Sequence, residues 1–305
     1  MISVCIPIHN YYTYPLVRRL VTQRDNLSHP EEIEIVCIDV NSSGYYLTQN
    51  NGICDIAKYL SLKKDIGRAA IRNLFLKYTQ GDWLLFLDDD SLVPEHFLKK
   101  YLQQVNGKAD VVVGGRSYDQ RGEDEEHRLR YLYGTLHESQ PVAKRNAKPY
   151  RYFLPCNFMI RRSVMERVLF DNRIIKYGNE GLLFAYKLEE RKISMLHIDN
   201  AVVNGYVETN VEYLHKAVEE VEGLVEIYDF MWEDQRFCHT VPLLNSYAKL
   251  QRLGLKGLAY LQFKLFRSLM EAHFVSGRGI SLKKFHRYKV GIFLEKMGYG
   301  KKDGE

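Results

Sequence analysis

The first 115 residues alternate short apolar runs with segments of helical periodicity, and this alternation constrains the fold most. Continuous apolar runs at Ile2–Ile8, Ile33–Val40 and Trp83–Leu87 predict strands that are buried on both faces. Helices are predicted between them, over Tyr14–Thr22 and Arg68–Tyr78, because apolar residues recur there every three or four positions. Buried strands joined by helices require a sheet with both faces covered. The sequence therefore predicts an α/β fold with a mostly parallel sheet flanked by helices.

The remaining elements have less regular patterns. We predict further strands at Asp55–Leu60, Ala109–Val113, Cys156–Arg161 and Ile193–Ile198, and further helices at Pro94–Val105, Ser163–Leu169 and Glu180–Glu190. Residues 116–150 are rich in charged residues and contain two prolines, which predicts short helix mixed with mobile loop. From Val211 onward the pattern is helical throughout.

Three carboxylates, Asp88-Asp89-Asp90, directly follow the predicted strand Trp83–Leu87. Strand side chains alternate between faces, so Asp88 and Asp90 should point the same way at the carboxyl end of the strand. Ligands of open α/β sheets bind at that end, and converging carboxylates suit a hard divalent cation. The alternative is a solvated acidic turn that caps the next helix.

Composition places the chain among soluble globular proteins, with 46% hydrophobic and 27% charged residues. The five cysteines are odd in number and far apart, which predicts reduced thiols in a cytoplasmic protein. A strand pattern beginning at Ile2 leaves no room for a signal peptide. No apolar run approaches the ~18 residues of a membrane-spanning helix.

Charge is spread unevenly along the chain. Residues 248–305 contain thirteen Lys or Arg and four Asp or Glu, a formal charge of +9, whereas residues 1–247 carry −4. This basic segment predicts a helical appendage that contacts an anionic partner, with an anionic membrane surface as the candidate. Nucleic acid is not predicted, because no recognised binding module is present. The alternative is a core-facing amphipathic helix, with its apolar stripe buried and its basic face solvated; the stripe comprises Leu261, Leu265, Phe266 and Leu269.

Six segments over about residues 1–210 form a recognisable series of motifs. They are Val4-Cys5-Ile6-Pro7-Ile8-His9-Asn10, Ile35-Val36-Cys37-Ile38-Asp39-Val40-Asn41-Ser42, Asp65-Ile66-Gly67-Arg68-Ala69-Ala70-Ile71-Arg72-Asn73, Gly81-Asp82-Trp83-Leu84-Leu85-Phe86-Leu87-Asp88-Asp89-Asp90, Cys156-Asn157-Phe158-Met159-Ile160-Arg161-Arg162 and Tyr177-Gly178-Asn179-Glu180-Gly181-Leu182-Leu183-Phe184. In order and spacing these segments resemble family 2 glycosyltransferases. The resemblance implies a Rossmann-like GT-A fold and an inverting, metal-assisted transferase. Its expected donor is a nucleoside diphosphate sugar, with a UDP-sugar favoured, and its expected acceptor is a glycan or a lipid-linked molecule.

The resemblance also implies a domain organisation and a location. A GT-A-like catalytic domain would span residues 1–230, with a nucleotide-sugar half at about 1–115 and an acceptor half at about 116–230. A basic helical extension would follow at 231–305. We expect a cytoplasmic protein that contacts the inner face of the membrane peripherally.

The resemblance implies that the residues that bind the metal and the nucleotide lie at the ends of strands. Asp88 and Asp90 would hold a divalent cation, Mn²⁺ or Mg²⁺, with Asp90 as the direct ligand and Asp88 also on the nucleotide side. The metal would neutralise the charge that grows on the diphosphate. Asp39 would contact the nucleoside, or else cap a turn. Pro7 would shape the loop beneath the nucleoside.

Asp65 replaces the family's Asn and would still accept a hydrogen bond from the base. Arg68 or Arg72 would face the diphosphate, although Arg72 braces the sheet equally well by an ion pair.

The chain departs from the family pattern at two positions. The family has Glu-Asp where this chain has Glu180-Gly181, so Glu180 is the candidate catalytic base, with helix capping as its alternative role. The family's His is replaced by Asn204. Two hypotheses follow, an active glycosyltransferase and a catalytically weakened homologue that binds nucleotide sugars. A nucleotidyltransferase is disfavoured, because Pro7-Ile8-His9-Asn10 is not a glycine-rich phosphate loop.

Overall fold

The computed structural model describes residues 1–176 and 178–298, except for the side chain of Arg121. Tyr177 of the sixth family segment and residues 299–305 of the basic extension lie outside the described residues. The strands are β1 (Ile2–Ile8), β2 (Ile33–Val40), β3 (Lys58–Leu62), β4 (Trp83–Leu87), β5 (Ser91–Leu92), β6 (Val111–Val113), β7 (Arg116–Ser117), β8 (Asn157–Arg161), β9 (Met195–His197) and β10 (Val202–Asn204). The helices are α1 (Tyr14–Asp25), α2 (Gly44–Asn50), α3 (Arg68–Tyr78), α4 (Phe97–Leu102), α5 (Arg128–Tyr133), α6 (Val142–Ala147), α7 (Arg162–Met165), α8 (Glu180–Glu190), α9 (Asn210–Met231), α10 (Gln235–Thr240), α11 (Pro242–Arg252), α12 (Lys256–Val275) and α13 (Leu282–Lys296).

The chain divides into two compact units. The first comprises Met1–Asp119, Gly134–Ile175 and Glu180–Tyr206, and the second comprises Gln120–Tyr133, Lys176–Asn179 and Val207–Glu305. Both units are therefore discontinuous in sequence. The division into functional domains at residue 230 stays a prediction.

A seven-stranded sheet in the order β3-β2-β1-β4-β8-β6-β9 forms the centre of the first unit. All neighbouring pairs are parallel except those of β8, which runs antiparallel to both β4 and β6. The prediction of a mostly parallel α/β sheet is confirmed, with β8 as the exception. The carboxyl ends of β1, β2 and β4 consequently meet at one edge.

Both faces of this sheet are covered because its strands present apolar side chains on both sides. On one face, side chains of α1 and α4 such as Val17, Leu20 and Phe97 pack on β1 and β4. On the other face, side chains of α3 and α8 such as Phe75 and Phe184 complete a second apolar cluster. The helix α3 places its first turn, with Arg68 and Arg72, at the edge where β4 ends.

A second, three-stranded sheet of the first unit lies beside the acid triplet. Its order is β5-β10-β7, with β10 antiparallel to β5 and parallel to β7. Asn204 pairs with Ser91, and Val202 pairs with Arg116. This small sheet therefore brings residues from three distant segments to the carboxyl end of β4.

Several regular elements begin and end where the sequence predicts, whereas α1 extends past the predicted Thr22 to Asp25 and the shorter elements differ more. The bounds of β1, β2, β4 and α3 match the predictions. The third strand is Lys58–Leu62 rather than Asp55–Leu60, because Asn51–Asp55 forms a 3₁₀ turn that occupies the residues before it. The predicted helix Pro94–Val105 is confined to Phe97–Leu102, since Pro94 lies in the turn that precedes it.

The helices of the second unit confirm the helical pattern after Val211. Thr209 begins α9 with a capping box, in which Thr209 and Glu212 exchange hydrogen bonds. A buried carboxylate, Glu208, is held by Arg130 at 3.1 Å and Lys216 at 2.6 Å. These contacts stabilise the start of α9, the longest of the described helices in this unit.

The apolar stripe of α12 faces outward. Leu261, Leu265, Phe266 and Leu269 are all exposed, while Phe263 and Phe274 on the opposite side of the helix are buried. The alternative of a core-facing stripe is therefore wrong. Among the described residues, no helix has the length and apolar character needed to cross a membrane.

Candidate functional site

The acid triplet lies at the carboxyl end of β4, and its three side chains do not point the same way. Asp88 and Asp90 both approach the guanidinium of Arg116, with Nη2 at 3.2 Å from Asp88 Oδ2 and 3.6 Å from Asp90 Oδ1. Asp89 instead accepts a hydrogen bond from the backbone N–H of His9 at 3.0 Å. This is the alternation expected of a strand end, and it places two carboxylates around one cationic group.

Three arginines converge on Asp88. Arg72 Nη2 donates to Oδ1 at 3.1 Å, and Arg116 Nη2 donates to Oδ2 at 3.2 Å. Arg68 Nη2 lies 3.6 Å from the same Oδ2. Arg72 is almost completely buried, with 1% of its surface exposed, whereas the side chain of Arg68 is 43% exposed. The site therefore combines a buried structural cation with cations near its surface.

Glu180, the first residue of α8, joins the same cluster from the other side. Its Oε1 accepts hydrogen bonds from Arg68 Nε at 3.1 Å and from Arg72 Nη1 at 3.2 Å. Glu180 is 3% exposed, and none of the described residues hydrogen-bonds to its Oε2. Arg72 thus bridges Asp88 and Glu180, and the second carboxylate oxygen of Glu180 is buried without a hydrogen-bond partner among the described residues.

These contacts shift the pKa values of the carboxyl groups. Burial by itself raises the pKa of Asp88, but Arg68, Arg72 and Arg116 hold it below its ordinary value. Burial likewise opposes ionisation of Glu180, yet Arg68 and Arg72 keep the pKa of Glu180 lowered. For Asp89, burial and the neighbouring Asp90 raise the pKa to about 7. Asp88 and Glu180, which are paired with arginines, therefore favour the ionised form, whereas Asp89 titrates near neutrality.

Arg116 is a site residue that sequence reasoning missed. It follows the predicted strand Ala109–Val113 and the pair Gly114-Gly115. The short strand β7 continues the chain past these glycines, and its pairing with β10 directs Arg116 to Asp88 and Asp90. The sequence signal that could have identified Arg116 as a site residue is its place just beyond the end of a predicted strand.

The predicted nucleoside residues lie near the carboxyl ends of neighbouring strands, Asp39 in β2 and Asp65 just after β3. Asp39 is completely buried, with Oδ1 accepting from the Ser42 N–H at 2.9 Å and Oδ2 accepting from the Tyr59 hydroxyl at 3.2 Å. Both oxygens thus have partners in the chain, as the turn-capping alternative expects. Asp65 is exposed, and its Oδ1 accepts from the Gly67 N–H at 2.8 Å. Nucleoside contact by Asp39 and Asp65 stays a prediction.

Pro7 is not in a loop. It lies within β1 and is the register partner of Ile38, and the strand continues to Ile8. The parallel ladder with β2 extends past Pro7 to Ile8, and a role of Pro7 in shaping the loop that follows stays a prediction. His9 begins the loop, and its Nδ1 lies 2.7 Å from the Val40 carbonyl oxygen.

The two residues that depart from the family pattern, Gly181 and Asn204, each make close local contacts. A Cβ at Gly181 would lie 2.8 Å from Cγ and Cδ of Pro155, so an aspartate cannot occupy this position without movement of the proline. Asn204 is buried and donates from Nδ2 to the Tyr206 carbonyl oxygen at 2.6 Å. The next residue, Gly205, donates its N–H to the Asp90 carbonyl oxygen at 2.8 Å. This segment therefore supports the backbone of the acid triplet.

The donor set at Asp88 and Asp90 suits a divalent cation. One cationic nitrogen of Arg116 lies between the two carboxylates, so the charge of this position attracts a cation. Among the described residues, no group of three or more His, Cys, Asp or Glu side chains is arranged to hold a metal. Mg²⁺ and similar ions are commonly bound by one or two carboxylates together with substrate phosphates, so two carboxylates are sufficient. The role of Asp90 as the direct ligand stays a prediction.

Comparison with known proteins agrees with this arrangement. The model of the family "Glycosyl transferase family 2" matches residues 3–169. An uncharacterized glycosyltransferase of Haemophilus influenzae is 31% identical over 266 residues, covering 83% of this chain and 90% of that protein. Glycosyltransferase GlyG of Streptococcus pneumoniae is 26% identical over 220 residues, covering 65% of this chain and 68% of that protein.

Solved structures share the fold at lower identity. The S. aureus TarS fragment 1–349 has a TM-score of 0.50 and 19% identity, covering 100% of this chain and 95% of that one. Mannosyltransferase PcManGT from Pyrobaculum calidifontis, in complex with GDP-Man and Mn²⁺, has a TM-score of 0.52 and 17% identity, with 93% and 86% coverage. Both are consistent with the GT-A arrangement of sheet and helices. The chain belongs to glycosyl transferase family 2 and is a glycosyltransferase with the GT-A fold.

Proposed function

We propose that the protein transfers a sugar from a nucleoside diphosphate sugar to a hydroxyl of a glycan or lipid-linked acceptor, with inversion and with a divalent cation. The observation that carries this proposal is the cluster of Arg68, Arg72 and Arg116 around Asp88 and Asp90. A UDP-sugar is the favoured donor, and the GDP-Man complex of the Pyrobaculum enzyme makes GDP-sugars the second class to test.

In the proposed reaction, the bond between the sugar C1 and the diphosphate breaks as the acceptor oxygen bonds to C1 from the opposite side. Asp90 and Asp88 would hold Mn²⁺ or Mg²⁺, which as a Lewis acid neutralises charge on the departing diphosphate. Arg68 and Arg116 present guanidinium groups at the same edge and would bind the diphosphate oxygens. Arg72 is too deeply buried for this role and holds Asp88 and Glu180 in place.

Glu180 is the proposed base. Its free and buried Oε2 would accept the proton of the acceptor hydroxyl, while Oε1 stays paired with the two arginines. The catalytically weakened homologue is the second candidate, and one observation favours it. The lowered pKa of Glu180 makes its carboxylate a weaker proton acceptor than an unpaired glutamate.

A thermal-shift screen of UDP- and GDP-sugars with Mn²⁺, Mg²⁺ or a chelator tests donor binding. At a donor concentration of 100 Kd we expect about 2.7 kcal/mol of stabilisation. For a chain of this size that corresponds to roughly 5 °C or more in Tm. The shift should require the metal and should be lost in Asp90→Asn. If no nucleotide sugar raises Tm with either metal, the donor proposal is wrong.

The variant Glu180→Gln tests whether Glu180 acts as the catalytic base or has only a structural role. Glutamine keeps an oxygen that can accept from Arg68 and Arg72 but cannot take a proton, so we expect kcat to fall by about 10²- to 10⁴-fold with little change in donor Kd. Steady-state kinetics and donor titration measure the two effects. The exposed Glu190→Gln at the other end of α8 is the matched control. A loss confined to donor affinity, with kcat retained, contradicts the base assignment.

A cytoplasmic location at the inner face of an anionic membrane is part of the same proposal. The formal charge of +9 over residues 248–305 supports it.

A further inference from the structure

The outward face of α12 is an unusual surface for a water-soluble protein. Leucines recur at spacings of three and four residues, which places them along one side of the helix. Their exposed fractions are 65% for Leu258, 53% for Leu261, 68% for Leu265 and 68% for Leu269. From the first to the last, this leucine face extends for about 16 Å along the helix axis. A continuous apolar face of this kind marks a contact surface.

The opposite side of the same helix is packed in the second unit. Phe263 and Phe274 are buried there, and Gly291 of α13 lies in close contact with the Phe263 ring. Arg267 is fixed by ion pairs to Glu271 at 2.9 Å and Glu295 at 3.0 Å. The leucine face is therefore held outward by a packed inner face, rather than being a helix that could rotate to bury its leucines.

The charged residues close in sequence to the leucines are basic, and the first carboxylate after Leu269, Glu271, is paired with Arg267. Residues 235–270 contain six Lys or Arg and no Asp or Glu. Lys249, Arg252 and Lys264 are exposed within this stretch, close in sequence to the leucines. The end of the preceding helix adds two more exposed apolar side chains, Leu253 and Leu255. Leucine flanked only by basic side chains is the composition of helices that lie in the interface of an anionic bilayer.

We propose that the leucine face of α12, Leu258, Leu261, Leu265 and Leu269, inserts into the surface of an anionic membrane, with the neighbouring Lys and Arg side chains at the lipid headgroups. The helix lies in the plane of the interface, because none of the described helices can span a bilayer. A second copy of this chain is a poorer occupant, since its equivalent surface would bring the exposed Lys249, Arg252 and Lys264 against the same basic residues. The contact holds the protein where lipid-linked acceptors are found.

Vesicle co-sedimentation of the full chain tests this surface. We expect binding to vesicles of phosphatidylglycerol with phosphatidylcholine, weak binding to phosphatidylcholine alone, and loss of binding at high salt. The double variant Leu261→Ser/Leu265→Ser should weaken partition by about tenfold or more, because two buried apolar side chains are lost. Lys264→Glu should weaken binding to the anionic vesicles only.

Two controls keep the result interpretable. Leu136→Ser removes an equally exposed leucine, 59% exposed, in the first unit and should bind vesicles as the unaltered protein does. Unchanged circular dichroism and Tm of the double variant show that its fold is intact. Donor binding should be unaffected by the leucine changes, so failure here is distinguishable from failure of the proposed transferase function. Equal sedimentation of the unaltered protein and the double variant overturns the proposal, as does a concentration-dependent dimer that Leu265→Ser dissociates without any vesicle binding.

Discussion

Asp90→Asn is expected to lower kcat for sugar transfer by about 10³-fold or more, because a metal-bound carboxylate contributes several kcal/mol to charge stabilisation in the transition state. Asparagine keeps the size of the side chain but removes the negative charge that faces the cation. The same variant should need a much higher Mn²⁺ or Mg²⁺ concentration for half-maximal rate. Initial rates as a function of metal concentration, at saturating donor, measure both effects.

Asp89→Asn is the matched control for this experiment. Its carboxylate accepts from the His9 N–H and lies away from Arg116, and an asparagine oxygen can accept the same hydrogen bond. We expect a loss of less than about tenfold, the value of a single hydrogen bond of about 1 kcal/mol. Equal losses in the two variants would show that the whole triplet acts through its charge, and the assignment of Asp90 as metal ligand would then be wrong.

Arg72→Leu is expected to lower the free energy of unfolding by about 3 kcal/mol, the lower end of the range for removing one partner from a buried ion pair. Arg72 is the buried bridge between Asp88 and Glu180, so its loss leaves two buried carboxylates with fewer partners. The lower end applies because Arg68 still contacts both carboxylates and Arg116 still contacts Asp88. Urea unfolding of the variant and of the unaltered protein gives the difference.

Two further variants test the reason for this loss. Arg68→Leu removes a half-exposed arginine from the same carboxylates, and we expect it to cost less than about 1 kcal/mol because solvent screens that pair. Adding Glu180→Gln to Arg72→Leu should restore part of the stability, since one of the two buried charges that lost a partner is then gone. A double variant that is less stable than Arg72→Leu alone contradicts the ion-pair explanation.

Sequence reasoning located the regular part of the fold accurately. The strands β1, β2 and β4 and the helix α3 have the predicted bounds. Each of them contains several repeats of its apolar pattern and ends at a strong turn or capping signal. Short elements were less predictable. The strands β5, β7 and β10 have only two or three residues each, and their pairing rather than their composition defines them.

The acids of the candidate site and two of its arginines, Arg68 and Arg72, were predictable from the sequence, whereas Arg116 was not. A run of three aspartates after an apolar strand is visible in the sequence, and the family resemblance added Glu180. Arg116 was missed because its place depends on a strand pairing between residues that are 86 positions apart, Arg116 and Val202. The restriction at Gly181 was also invisible, since it comes from contact with Pro155.

The amino-acid sequence by itself determined the alternation of strands and helices, the acid triplet at the end of β4 and the basic character of the C-terminal segment. These depend on periodicity, on neighbouring residues and on composition, which are local. Only the tertiary structure decided that three arginines surround Asp88, that Arg72 joins Asp88 to Glu180, and that the leucines of α12 point outward. Each of these depends on which distant residues pack together. A helical spacing of leucines shows that one face is apolar, but packing on the opposite face decides where that face points.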